Sequence, residues 1–327
     1  MRAVVVTEYG GPEVLQVQDV EEPQPGPGQL LVEVAAAGVN YMDVQAREGR
    51  RPYASDVPFV PGGEGAGTVV GLGDEVEGVA LGDRVAWAGG PWAGVSESYA
   101  DQVVVPAARA VPVPAGVELQ TAAAVMLQGI TAQYLSSSTY PVQPGDVAVV
   151  HAAAGGVGLL LTQLVKRRGG RVIATTSTPD KARLAQQAGA DVATTYDAFA
   201  GVVRDVSGGQ GAAVVYDGVG ASTFDDGLRC LRPRGLMVLH GTASGPVDAF
   251  DIGRLGGAGS LYLTRPFMAS YTATREELLA RTGELFGWLA AGELEVRIGG
   301  TYPLAEASRA HAELSARRTT GKLLLLP

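Results

Sequence analysis

The segment His151-Ala152-Ala153-Ala154-Gly155-Gly156-Val157-Gly158 has the residue types and the setting to hold a dinucleotide. An apolar, β-branched run at 147–151 precedes it, and a stretch with helical spacing at 156–168 follows. Set on the G-x-G-x-x-G fingerprint, its positions are Ala153, Gly155 and Gly158. Gly155 would let the backbone approach a pyrophosphate, and Gly158 would let the helix pack close to the strand. The N–H groups of the first helical turn would then face phosphate oxygens. Ala154, Gly155, Gly156, Val157 and Gly158 are therefore candidate cofactor contacts. Alanine in place of the first glycine weakens the motif. A glycine-rich turn without a ligand is the bland alternative, and the alternating strand–helix context argues against it.

The next strand tells which dinucleotide. A site for NAD carries an acid about 20 residues on, at the end of that strand, to bind the ribose hydroxyl. Here the strand ends Ala174-Thr175-Thr176-Ser177-Thr178, with no acid, and Asp180 comes later. Lys181 and Arg183 flank the position. A hydroxyl cluster with a nearby cation suits a 2′-phosphate through charge-assisted hydrogen bonds. Thr176, Ser177 and Lys181 thus point to NADPH, unless Lys181 and Arg183 are merely solvated helix charges.

Other chemistries are poorly served. One cysteine, Cys230, and the three histidines at 151, 240 and 311 cannot build a tetrahedral structural zinc site. A catalytic zinc needs three converging ligands, and these residues are scattered. Glu64 follows Gly62-Gly63 with no histidine beside it. Ser96 and Ser98 lack the sharp glycine elbow of a serine hydrolase. The net charge of -9 argues against a nucleic-acid footprint and a polybasic membrane surface. The N-terminus turns polar too soon for a signal peptide. The apolar stretch 147–165 holds a glycine cluster and a histidine, so it reads as strand–turn–helix and not as a membrane span. A single cysteine excludes an intramolecular disulfide and fits a reducing cytoplasm.

The surrounding elements must position that loop. The 327 residues suggest about two domains. Residues 3–7, 15–20, 29–37, 68–71, 84–87 and 99–105 read as short strands cut by turns, with a short helix around 42–48. Such spacing indicates a small β-barrel-type domain. The middle alternates: strands at 147–151, 171–175, 213–216 and 235–240, and helices at 156–168, 179–188 and 223–231. That rhythm predicts a doubly wound parallel sheet. The tail departs from it, with a strand at 260–264, a helix at 275–291, a helix ending near 316 and a last strand at 322–326. The fold class expected is α/β.

At this point several stretches, taken in order, resemble a known family. They are Gly10-Gly11-Pro12-Glu13-Val14-Leu15, Gly38-Val39-Asn40-Tyr41-Met42-Asp43, Pro61-Gly62-Gly63-Glu64-Gly65-Ala66-Gly67 and Leu81-Gly82-Asp83-Arg84-Val85. After the dinucleotide loop come Val215-Tyr216-Asp217-Gly218-Val219-Gly220, Gly235-Leu236-Met237-Val238 and Gly259-Ser260-Leu261-Tyr262-Leu263-Thr264-Arg265-Pro266. The chain resembles the zeta-crystallin-like quinone oxidoreductase branch of the zinc-free medium-chain dehydrogenases/reductases. The resemblance implies a GroES-like catalytic domain at 1–123, a Rossmann NADPH-binding domain at 124–264 and a tail at 265–327 that completes the catalytic domain. It implies an active site in the cleft and a homodimer formed through edge strands near 260–264. In zinc-dependent relatives a Cys would lie near Asn40 and a His at Gly63.

Carried over by position, the resemblance places Asn40 and Asp43 in the nicotinamide pocket, flanked by His240, Gly241, Thr242 and Phe267. Lys181, Tyr196 and Arg317 would hold the adenosine phosphate end. Tyr53, Gln128 and Arg265 would face substrate, and Gln45 stands where some relatives carry Tyr. Each has a plainer use: Asn40 as a turn residue, Asp43 as a helix cap, Tyr53 as a loop aromatic. The activity implied is NADPH-dependent reduction of a quinone. A reductase of enones, alkenals or enoyl thioesters is the first alternative, and a non-catalytic NADPH-binding or RNA-binding protein is the second. No side-chain acid stands out, so quinone turnover is expected to vary little between about pH 6 and 8.

Overall fold

The computed structural model describes residues 1–95 and 97–327. Ser96, weighed above as a nucleophile, lies outside the described residues. The chain forms two compact units, Met1–Ile130 with Tyr271–Pro327, and Thr131–Ser270.

The first unit opens with β1 (Arg2–Val6), paired antiparallel with β2 (Leu15–Asp19). The long β3 (Gln29–Val39) buries Leu30, Val32 and Val34 on one face, as a period of two requires. It runs directly into α1 (Tyr41–Arg47). It pairs antiparallel with β4 (Glu64–Leu72), which in turn pairs with β5 (Arg84–Ala88). A third partner of β3 is β6 (Gln102–Pro106), while the short β7 (Val111–Pro112) lies on β5. Helix α2 (Leu119–Tyr134) contains the division between the units.

The second unit alternates strands and helices. Its elements are β8 (Val147–Val150), α3 (Gly156–Arg167), β9 (Arg171–Thr175), α4 (Pro179–Gln187), β10 (Val192–Thr194) and α5 (Phe199–Val206). They continue with β11 (Ala212–Asp217), α6 (Phe224–Cys230), β12 (Leu231–Leu239), α7 (Gly253–Gly257) and β13 (Tyr262–Thr264). The six strands run parallel in the order β10-β9-β8-β11-β12-β13. This is the doubly wound Rossmann order, with its topological switch between β8 and β11. Helix α3 buries Leu159, Leu160, Leu161, Leu164 and Val165, and Lys166 and Arg167 meet its negative C-terminal end.

The tail returns to the first unit through α8 (Arg275–Ala290), β14 (Ile298–Pro303), α9 (Ala307–Ser315) and β15 (Lys322–Leu326). Strand β15 pairs antiparallel with β3 and parallel with β14. The result is a sheet ordered β14-β15-β3-β4-β5-β7, with β6 also on β3.

Several elements differ from the sequence expectation. β4 starts at Glu64 and not at residue 68, and β6 starts at Gln102, leaving Tyr99 outside the strand. β12 starts at Leu231, four residues before the expected 235, although its Pro233 has no N–H to donate. The alternating pattern also missed α2, β7, β10, α5, α7 and β14. In α2, Ala122–Met126 are all buried, so no polar face marks a helical period.

Candidate active site

In the second unit, every candidate cofactor residue follows the carboxyl end of a parallel strand. The loop 151–155 follows β8, Thr176 and Ser177 follow β9, and Tyr196 follows β10. His240, Gly241 and Thr242 follow β12, and Arg265 and Phe267 follow β13. Parallel pairing puts all these ends on one edge of the sheet, where such folds take ligands.

Gly155 is the N-cap of α3 and supplies no side-chain cap, so a ligand can take the first-turn amides. A Cβ on Gly158 would lie 2.4 Å from the Ala152 carbonyl and 2.6 Å from the Ala153 Cα. Only glycine permits that approach. Behind the loop, the His151 Nδ1 lies 2.8 Å from Thr175 Oγ1, and the ring packs edge-on against Phe199 at 4.8 Å. Tyr196 also lies near the imidazole, with ring centroids 6.0 Å apart. Burial pushes His151 down to about 3, so the imidazole is neutral. At the end of β9, Thr176 is buried and Ser177 exposed. Thr178 caps α4 by accepting the Lys181 N–H at 3.3 Å, which sets Lys181 in the first helical turn. Partial burial lowers the Lys181 pKa.

The loop after β11 is pinned by Asp217, whose carboxylate is fully buried. It accepts the N–H groups of Val219 at 2.7 Å and Gly220 at 2.9 Å, and the Thr223 hydroxyl at 2.8 Å. Desolvation raises its pKa, and these bonds oppose the rise. Neighbouring His240 is held down at about 4, chiefly by desolvation. Arg265 is exposed and Phe267 half-buried.

The first unit brings Asn40 and Asp43 together at the start of α1. Asp43 accepts the Asn40 N–H at 2.8 Å, so the helix-cap use is real. The Asn40 amide is committed: Nδ2 donates to Glu64 Oε2 at 2.9 Å, and Oδ1 accepts from Lys322 Nζ at 2.7 Å. Lys322 also bonds Glu64 directly, in an ion pair with side chains 1% and 0% exposed. The other Glu64 oxygen accepts the Leu127 N–H of α2 at 2.6 Å. The next residue, Gln128, has a buried Oε1 with no hydrogen-bond partner. Asp43 also accepts from the Tyr99 hydroxyl at 3.1 Å. Burial pushes Asp43 up to about 7, against the pull of the Asn40 N–H, Lys322 and Tyr99. Half-buried Tyr53 packs edge-on against Trp92 at 5.8 Å. Arg317 is exposed just beyond α9 and belongs to the first unit, whereas Lys181 and Tyr196 belong to the second.

Sequence reasoning gave no role to Lys322, Tyr99, Asp217 or His311, and left Glu64 as an acid without a histidine. One signal was available. The chain has lysines only at 166, 181 and 322, and Lys322 opens the otherwise apolar run Leu323–Leu326.

Comparisons agree with this architecture. Residues 26–115 match the family model for the alcohol dehydrogenase GroES-like domain, and residues 156–282 the model for zinc-binding dehydrogenases. A quinone oxidoreductase of Pseudomonas aeruginosa is 45% identical over 321 residues, covering 98% of this chain and 97% of that protein. A 2-haloacrylate reductase of a Burkholderia species is 37% identical over 332 residues, covering 99% and 98%. The Escherichia coli quinone oxidoreductase solved with NADPH superposes with a TM-score of 0.96 at 37% identity, with all of both chains covered. The two units define a medium-chain dehydrogenase/reductase, and within that superfamily the chain belongs to the quinone oxidoreductase family.

The residues do not fit the zinc that one matching model's description implies. A Cβ on Gly63 would meet the Gly89 carbonyl at 2.6 Å and the Met42 Cε at 2.9 Å, so a ligand side chain has no room there. The Asn40 side chain is taken up by Glu64 and Lys322. A buried ammonium already balances the carboxylate.

Proposed function

We propose that this chain is an NADPH-dependent, zinc-independent oxidoreductase whose acceptor is a quinone. One observation carries the cofactor reading: the uncapped start of α3 follows β8, and the next strand ends in Thr175-Thr176-Ser177 beside Lys181, without a carboxylate. NADPH supplies the hydride when bound. The loop from Ala154 to Gly158 holds the pyrophosphate through the first-turn amides of α3. Thr176, Ser177 and Lys181 take the 2′-phosphate, with Tyr196 and Arg317 at the same end of the cofactor. His240, Gly241, Thr242 and Phe267 flank the nicotinamide. Asn40, Asp43, Tyr53, Gln128 and Arg265 are the substrate-side residues, and the unpartnered Gln128 Oε1 supports that placement.

A quinone needs little activation, so the protein mainly supplies proximity, which can be worth roughly 7–11 kcal/mol. The 2-haloacrylate reductase relative favours activated alkenes as the second acceptor class. A screen of NADPH oxidation over quinones and enones, with NADH in parallel, tests both. Failure to oxidise NADPH with any quinone would overturn the reading.

The first unit is the catalytic domain and the second the NADPH domain. The chain works as a homodimer through β13, whose Tyr262 is 60% exposed at the sheet edge, and light scattering tests this. Among the described residues no helix is long and apolar enough to cross a membrane. With one buried cysteine the protein suits the reducing cytoplasm, which fractionation of the source cells tests.

A further inference from the structure

The amide of Asn40 has three hydrogen-bonding partners inside the protein and one open valence. Its two N–H bonds go to Glu64 Oε2 at 2.9 Å and, more weakly, to the Gly38 carbonyl at 3.4 Å. Its Oδ1 takes one bond from Lys322 at 2.7 Å. A carbonyl oxygen has two lone pairs, so one remains. The amide cannot flip. A flip would face its NH2 group with the Lys322 ammonium and its oxygen with the Glu64 carboxylate, and both contacts would repel.

We propose that Lys322 and Glu64 are positioning residues that lock Asn40 as a hydrogen-bond acceptor, so that Asn40 receives a hydroxyl or N–H of the bound ligand. This rests on the reading that Asn40 faces the ligand. The lock has a chemical consequence. Asn40 does not polarise an acceptor's carbonyl, because it has no N–H to offer. It selects a donor, such as a ribose hydroxyl, a carboxamide N–H or the hydroxyl of a hydroquinone product. Glu64 extends the lock to α2 through the Leu127 N–H, next to Gln128. The Lys322 ammonium also balances the buried charge of Glu64 without a metal.

Removing Lys322 alone would strand a buried carboxylate and is expected to unfold the chain. The informative variant is the double substitution Lys322→Met with Glu64→Gln. It keeps volume and neutrality, and such replacements of buried pairs are often neutral or stabilising. Its melting temperature should stay near that of the parent. Its NADPH affinity, read by nucleotide fluorescence, and its kcat/KM with a water-soluble benzoquinone should fall about tenfold, the worth of one well-placed hydrogen bond. Asn40→Ala should show the same loss. Parental affinity and kcat/KM in the double variant, beside an impaired Asn40→Ala, would overturn the lock while keeping Asn40 as a ligand residue. Parental behaviour of Asn40→Ala would instead overturn the reading beneath it. If the double variant fails to fold, a crystal structure of the parent with NADPH decides. A ligand hydroxyl or N–H within about 3.2 Å of Oδ1 supports the lock. A ligand carbonyl there, or no polar atom, overturns it.

Discussion

The Tyr99 hydroxyl stands 3.1 Å from Oδ2 of Asp43 and 3.0 Å from Nε2 of His311, so one buried phenol joins a carboxylate on α1 to an imidazole on α9. With Asp43 ionised, Tyr99 donates to it and accepts from His311. With Asp43 protonated, the phenol can donate to the imidazole instead, provided the neutral ring carries its proton on Nδ1. The first unit thus holds a proton-dependent arrangement beside Asn40.

Because burial sets Asp43 at about 7, its charge changes inside the window where turnover was expected to be flat. kcat/KM with a quinone should bend near pH 7 by several-fold, and Asp43→Asn should straighten the profile. Identical profiles for parent and variant would count against a role for this carboxylate.

Acid should destabilise the fold. His151, His240 and His311 are held at about 3, 4 and 3, below their ordinary value, so their contribution is full above about pH 6.5 and lost as pH falls toward those values. Asp43 acts oppositely: its raised value favours the folded chain as pH falls from about 7. Near pH 5 unfolding then takes up about two protons net, and stability should fall by about 2.7 kcal/mol per pH unit. Urea midpoints between pH 7 and 5 measure this, and an unchanged midpoint would refute it.

Replacing Lys181 with alanine should weaken NADPH binding by about 10- to 100-fold and leave NADH nearly unchanged, the signature of a charge-assisted phosphate contact. Isothermal titration with both nucleotides distinguishes this from a general loss. Equal losses would remove the 2′-phosphate assignment.

Gly158→Ala should cost about 1–3 kcal/mol of stability, because the added carbon meets backbone and not a movable side chain. NADPH affinity should fall with it. A variant with parental melting and affinity would show that the helix can shift freely.

Tyr53→Phe should keep most quinone turnover, because water can protonate that product. With an enone the same change should reduce turnover by about 10²-fold or more if Tyr53 is the positioned acid. Comparing both acceptors in one variant separates the two substrate classes.

Much of the second unit was legible. The period change after residue 147 and the loop from His151 to Gly158 carry local signals, and β9 fell on Arg171–Thr175 as expected. Asn40 and Asp43 were legible only through resemblance. Their partners were not: Glu64, Tyr99 and Lys322 meet them across 24 to 282 residues of chain, and no local pattern encodes such meetings. Helix α2 was hidden for a different reason. It is apolar around most of its circumference, so burial erased the amphipathic period.

The discontinuity of the first unit bears on how the chain is made. β3 cannot gain its β15 neighbour until the stretch Lys322–Leu326 has left the ribosome, after the whole of Thr131–Ser270. At ordinary synthesis rates that wait lasts roughly tens of seconds. Through that interval the nascent chain carries an open strand edge and a Glu64 without its cation. The contiguous unit Thr131–Ser270 is under no such delay. Proteolysis of ribosome-arrested chains of increasing length should therefore find the first hundred residues vulnerable until β15 emerges.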